Sequence, residues 1–204
     1  MNFEHRRLDN ADQGPNARID FPIESDGSLA RQAAGPLEFR KDEFVVYPAH
    51  GVGQITEIEV QTVAGTSLEF FVIYFAKAKM KARVPTQKAA SIGLRKLSDP
   101  ADLEQVQRTL GQSAAKARTN WARLTKEYEA KLKSGEITAL AEVARDLHRR
   151  TAASEQSYSE RQLYAAALDR LSAEVALVRG VTQEEAAAGL EAVLKERTGK
   201  TASR

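Results

Sequence analysis

The 204-residue sequence predicts an α+β chain in which a small β-barrel is followed by a compact all-helical domain. Three observations carry that prediction. Short runs rich in valine, isoleucine and aromatic residues crowd together between Phe39 and Leu97, divided by glycine-bearing turns. Beyond Asp99-Pro100 the apolar residues recur at intervals of three and four, the period of a helix with one buried face. Capping residues stand where those helices would begin, and Gly111, Gly135 and Gly180 stand where they would end.

Residues 1–37 come first. They hold three prolines, four Lys/Arg and six Asp/Glu with no sustained period, and are expected to be a disordered N-terminal extension that contributes nothing essential. "RIDFPIE" within them could dock as a short extended segment. Residues 38–98 are expected to form the first domain. Its strands are "EFVVYP", "QITEIEV", "EFFVIYF", "MKARVP" and "IGLRKL", with "AHGVG" and "AGTS" as turns. Ile55, Glu57, Ile58 and Val60 alternate imperfectly in the second strand. So few short strands hide their edges only by closing on themselves, which predicts a strongly curved barrel of the SH3 or Tudor type. Pro48 and Pro85 fall at strand ends, where a missing N–H is tolerated.

The helical domain is expected over residues 99–197, with 198–204 as a flexible tail. Asp99 and Pro100 occupy the N-cap and first position of a helix that Gly111 terminates. A second helix is expected from about Thr119 to Ser134, capped by Thr119 or Asn120. In the third, Ile137, Leu140, Ala144 and Leu147 form a narrow apolar stripe. Ser157 or Ser159 caps a fourth carrying Leu163, Ala167, Leu171, Val175 and Val178. "TQEE" is a capping box for the last, with Ala186, Leu190, Val193 and Leu194 on one side. Short connections predict antiparallel neighbours.

Composition narrows the function. The chain has no cysteine, which removes disulfides, thiolate metal sites and a cysteine nucleophile. No apolar stretch follows the early "HRR", so no signal peptide is expected. The longest apolar run, Phe70 to Ala76, is too short to cross a bilayer. A soluble cytoplasmic protein without membrane contact is expected. His5, His50 and His148 are scattered and lack metal partners at helical spacing. His148 suits a helix C-terminus, and His50 suits a local hydrogen bond in its turn. No phosphate loop or nucleophile elbow is present. The expectation is a protein that is not an enzyme and needs no cofactor or metal. Tyr47, Phe70, Phe71 and Tyr74 lie within apolar strands and are expected in the core before any aromatic cage.

Charge is unevenly spread. Residues 100–150 carry ten Lys/Arg against seven Asp/Glu, and no acid stands between Glu104 and Glu127. The only tryptophan, Trp121, lies in that interval, in "KARTNWARLTK". Leu124, Tyr128 and Leu132 follow on its helical face, as for a core residue. Yet Trp121 falls in the first turn, Lys116 and Arg118 precede it, and Arg123, Lys126, Ala130 and Lys133 form a second stripe. A helix N-terminus among cations suits phosphates, and an aromatic there can wedge between bases. Both readings stand on the residues alone.

"FRKDEFVVYPAHGVGQITEIE" through "MKARVPTQKAASIGLRKL", then "NWARLTKEYEAKLKSGEITALAEVARDLHRR" and "SYSERQLYAAALDRLSAEVA", resemble the CarD/CdnL family of bacterial transcription regulators, from about Phe39 to Val178. The resemblance implies a Tudor-like domain that binds the RNA polymerase β subunit. It also implies a helical domain that stabilises the open promoter complex at the upstream edge of the bubble, largely without reading sequence. The family's wedging tryptophan matches Trp121, and its DNA-contacting basic positions match Lys126 and Arg123, with Lys116 and Arg118 added by their place before the cap. A polymerase-contacting arginine matches Arg83. A second falls at Gln61, where that charge is missing, and Val63 and Pro85 are assigned to the same contact. A monomer is expected. The alternative is a protein-interaction adaptor with Trp121 in its helical core, and a further one is a nucleic-acid binder acting without polymerase.

Overall fold

The computed structural model describes residues 39–63, 65–113, 121–152 and 157–202, with the side chains of Val63, 149–152 and 197–202 left aside. The expectations for residues 1–37 and for the caps Thr119 and Asn120 lie outside the described residues.

All five expected strands form: β1 Phe44–Tyr47, β2 Gly51–Val63, β3 Thr66–Phe75, β4 Met80–Pro85 and β5 Arg95–Lys96. They make one antiparallel sheet in the order β4-β3-β2-β1-β5. Ile55, Phe71, Ile73, Phe75 and Val84 from its concave face share a core with Val45, Tyr47, Ala89 and Leu94. Among the described residues no ladder joins β4 to β5. Closure is made by the connection between them, a 3-10 turn at Thr86–Lys88 followed by Ala89 and Leu94, which enter the core.

The imperfect alternation of β2 has a structural cause. Ile55 pairs with Ile73 and Glu57 pairs with Val72, so Thr56 is the extra residue of a bulge. One inserted residue resets the two-residue period. Ile55, Ile58 and Val60 therefore share the face of Ile73, Phe71 and Glu69 although they are spaced by three and then two. Gly53 faces the same core so closely that a Cβ there would come within 2.6 Å of Ile73 and 2.8 Å of Phe75. No larger residue fits without displacing both.

The helices are α1 Pro100–Gly111, α2 Trp121–Ser134, α3 Ile137–Ala152, α4 Tyr158–Arg179 and α5 Gln183–Ala202. Asp99 and Asp102 cap α1 reciprocally, Ser157 and Glu160 do the same for α4, and Gly180 ends α4 in the left-handed conformation. Thr182 and Glu185 form the expected box before α5, and the Thr182 backbone N–H and hydroxyl, both donating to the Glu185 carboxylate, hold it below its ordinary pKa. Helix α5 is helical to Ala202, so the boundary set at 197 falls inside it. The expected stripes converge. Leu124, Tyr128 and Leu132 of α2 meet Leu140, Ala144 and Leu147 of α3, Leu171 and Val175 of α4, and Leu190 and Leu194 of α5.

Each of the two described histidines sits beside an aromatic ring, and His148 stands about one turn from the end of α3, as expected. His50 stacks beside Tyr47 and Phe75, with ring centroids 5.3 Å from each, and only its backbone N–H makes the local hydrogen bond, to the Tyr47 carbonyl. Burial, and then the charge of Arg170, lower its pKa from 6.5. His148 lies 3.3 Å from the Tyr164 hydroxyl, whose pKa is pushed up to about 12 by burial and by Glu191.

Candidate functional site

The candidate residues form two surfaces, one on each domain. On the sheet, cross-strand register puts Glu57 and Glu59 of β2, Val72 and Phe70 of β3, and Arg83 and Pro85 of β4 on the face turned away from the β core. Gln61 continues this row opposite Leu68, and Val63 pairs with Thr66 one step beyond. The Val63 side chain lies outside what is described. Lys81 and the exposed Tyr74 extend the face in the other direction. Among the described residues strand β4 pairs with β3 alone, so its other backbone edge carries no ladder.

Arg83 is half exposed, and its Nε donates to Glu59 Oε2 at 3.1 Å. The Gln61 amide donates to the same oxygen at 3.0 Å. Glu59 was not among the residues singled out in the sequence, although it stands two positions before Gln61 and so shares its face. Without the register, nothing links it to Arg83, twenty-four positions away. An exposed pair of this kind is worth about 0–1 kcal/mol, so a carboxylate on a partner could recruit Arg83 from Glu59 at little cost. The basic run Lys77–Arg83 is divided. Lys81 and Arg83 share the open face, whereas Lys77 pairs with Asp169 of α4.

On the helical domain, α2 positions the second surface. Leu124, Tyr128 and Leu132 are buried, which fixes the rotation of the helix. That rotation leaves Arg123, Lys126, Ala130 and Lys133 exposed. Trp121 is the first residue of α2 and is half-buried, packed against the rim of the helical core. The residue is thus in contact with the core and is still not sealed from solvent. Thr125 Oγ1 donates to the Trp121 carbonyl at 3.0 Å. No acid lies in the first turn of α2. Lys116 and Arg118 lie outside the described residues.

Among the described residues no group of three or more His, Asp or Glu is arranged to hold a metal ion. No described helix is long and apolar enough to cross a membrane.

The molecule is a two-domain protein, a small antiparallel sheet followed by a helical domain. Residues 39–98 match the CarD-like/TRCF RID domain, and residues 105–191 match the CarD C-terminal domain. The chain belongs to the CarD family, whose members regulate transcription and interact with RNA polymerase. It is also similar to YdeB of Bacillus subtilis (strain 168), described as a candidate transcription factor. The two are 28% identical over 147 residues, covering 72% of this chain and 96% of that protein.

Proposed function

We propose that the chain is a non-enzymatic regulator that docks on the polymerase β subunit through the open face and β4 edge of its sheet. It then holds Trp121 against promoter DNA at the upstream edge of the bubble. Arg83 is the anchoring charge of the first contact, with Gln61 and Pro85 beside it. Arg123 and Lys126 reach phosphates in the second, without reading sequence. The protein acts as a cytoplasmic monomer without cofactor.

One observation carries the reading. Trp121 opens a helix whose first exposed charged residues are Arg123 and Lys126, and it rests on the helical core without being enclosed by it. A side chain supported from behind and open in front can press into an unstacked base step with little loss of its own freedom. Where the bubble edge is already melted, most of the unstacking cost falls away.

The contact with the core favours one competing reading, in which Trp121 is only a structural residue and the helical domain binds protein. Trp121→Ala separates the two. Loss of an aromatic–base contact worth roughly 1–3 kcal/mol should shorten open-complex lifetime about ten-fold with polymerase binding intact. A fully structural tryptophan would instead cost about 3–5 kcal/mol of folding stability. Melting temperature and complex lifetime on one preparation decide the matter. A normal lifetime with a near-normal melt would refute the DNA role.

A further inference from the structure

Helix α2 carries Trp121 at one end, and its other end is held by α4 and the sheet domain together. The last-turn carbonyl of Leu132 accepts from Arg170 Nη1 at 2.6 Å. The carbonyl of Gly135, just beyond the helix, accepts from Arg95 Nε of β5 at 3.0 Å and from its Nη2. These carbonyls are the unpaired acceptors at the negative end of a helix, where guanidinium groups are well placed. Arg170 Nη1 also donates to the Pro48 carbonyl at 3.0 Å, so one guanidinium ties α4, α2 and the β1–β2 turn together.

Glu174 fixes the second arginine. It is 1% exposed. Its two oxygens accept from Arg95 at 2.7 and 2.9 Å, and Oε1 also accepts from the Ser98 backbone N–H at 3.0 Å and the Ser98 hydroxyl at 2.7 Å. Apolar contact completes the joint. Val46 is buried but belongs to neither core, and lines the interface with Val52 and Leu140. Gly135, at φ +73°, lies against Pro48 so closely that a Cβ would come within 3.0 Å of the Pro48 ring.

We infer that Arg95, Glu174 and Arg170 are positioning residues that clamp the base of α2 to the sheet domain, so that Trp121 is held at one fixed place relative to the polymerase-binding face. The inference rests on the functional reading above and adds the means by which its two contacts are coupled. Its physical basis is leverage. The 14 residues of α2 span roughly 20 Å, so a tilt of ~15° at the clamped end would move Trp121 by about 5 Å. That exceeds the roughly 3.4 Å step between stacked bases. A buried bidentate pair adds little net stability over apolar packing, but the flat fork of arginine on a carboxylate permits only a narrow range of angles. A rigid link also keeps the second contact at high effective concentration once the first has formed.

The absence of cysteine allows a direct test. Spin labels at the exposed positions Glu69→Cys and Glu129→Cys report the distribution of distances between sheet and α2. Glu174→Gln should broaden that distribution and shorten open-complex lifetime about ten-fold, as expected when a rigid link becomes a loose one, while polymerase affinity stays unchanged. Arg95→Lys, which keeps the charge but loses the fork, should act in the same direction and serves if Glu174→Gln folds poorly. In an unlabelled chain with Glu174→Gln, a short thiol cross-link between Lys77→Cys and Asp169→Cys should restore the lifetime. An unchanged distance distribution in both variants would overturn the clamp, as would a broadened one with normal lifetime. A lifetime that the cross-link does not restore would trace the loss to local damage and also overturn it. A wild-type chain with no effect on lifetime would refute the functional reading instead, and the width of the distance distribution would then decide the clamp.

Discussion

The sheet domain is held by side chains that have no polar alternative. Phe75, Ile55 and Ile73 are almost fully buried and meet across strands. The helical domain does the same with Leu110, Leu147, Leu171 and Leu194. Where the domains meet, Arg95, Glu174, Arg170 and five backbone or hydroxyl groups add a polar network to the apolar contact. Hydrophobic burial rewards any arrangement that excludes water, whereas a hydrogen-bonded ion pair rewards one geometry. Each domain therefore has a tolerant core, and the joint between them has a demanding one. Damage to the three regions should have different signatures.

The largest expected effect is inside the sheet core. Phe75→Ala removes a ring packed near Tyr47 and His50, with a 6.1 Å centroid separation from Tyr47. It should cost about 3–5 kcal/mol, read from chemical denaturation, and should abolish polymerase binding because the docking face loses its support. Survival of that binding at normal stability would break the comparison, since it would show that the sheet does not depend on its core.

A smaller effect is expected on the open face. Arg83→Glu sets a carboxylate beside Glu59 and removes the anchoring charge, so polymerase affinity should fall by about 2–5 kcal/mol while the melting temperature changes little. Glu59→Gln should act the other way at the same site, freeing Arg83 and leaving affinity equal or higher. Loss of binding in Glu59→Gln would show that the carboxylate itself makes the contact.

The smallest effect sharpens the account of the joint. His50 has a folded pKa below its ordinary 6.5, chiefly through burial and then through Arg170. Between those two values the unfolded chain binds more protons than the folded one, so protonation favours unfolding. The contribution of a neutral His50 is complete above pH 6.5 and is lost as pH falls from 6.5 through the folded value. Thermal stability should therefore decline on acidification through that window. His50→Asn should flatten the decline, and an unaltered slope in that variant would assign the pH dependence elsewhere.

Sequence and structure divided the labour along physical lines. Strand and helix positions were legible because they depend on local periods and caps. The runs from Phe44 to Lys96, the box at Thr182 and Glu185, and the stripe Leu124–Tyr128–Leu132 all stand where the sequence places them. The bulge at Thr56 left a trace as broken alternation, but its role in keeping Ile55, Ile58 and Val60 on one face needed the register with β3. Glu174 also left a trace. It lies seven after Ala167 and three after Leu171 on the apolar side of α4, where an acid needs a partner. Which partner it finds is not a local property. Arg95 is seventy-nine positions away, and Arg83 meets Glu59 across twenty-four. Trp121 shows the same limit within a single helix: its spacing from Leu124 and Tyr128 sets its side, but only packing against the other helices leaves it half-buried at the rim. Periodicity is written residue by residue. The match between a carboxylate and a guanidinium from different domains is set only when both cores have formed and brought them to hydrogen-bonding distance.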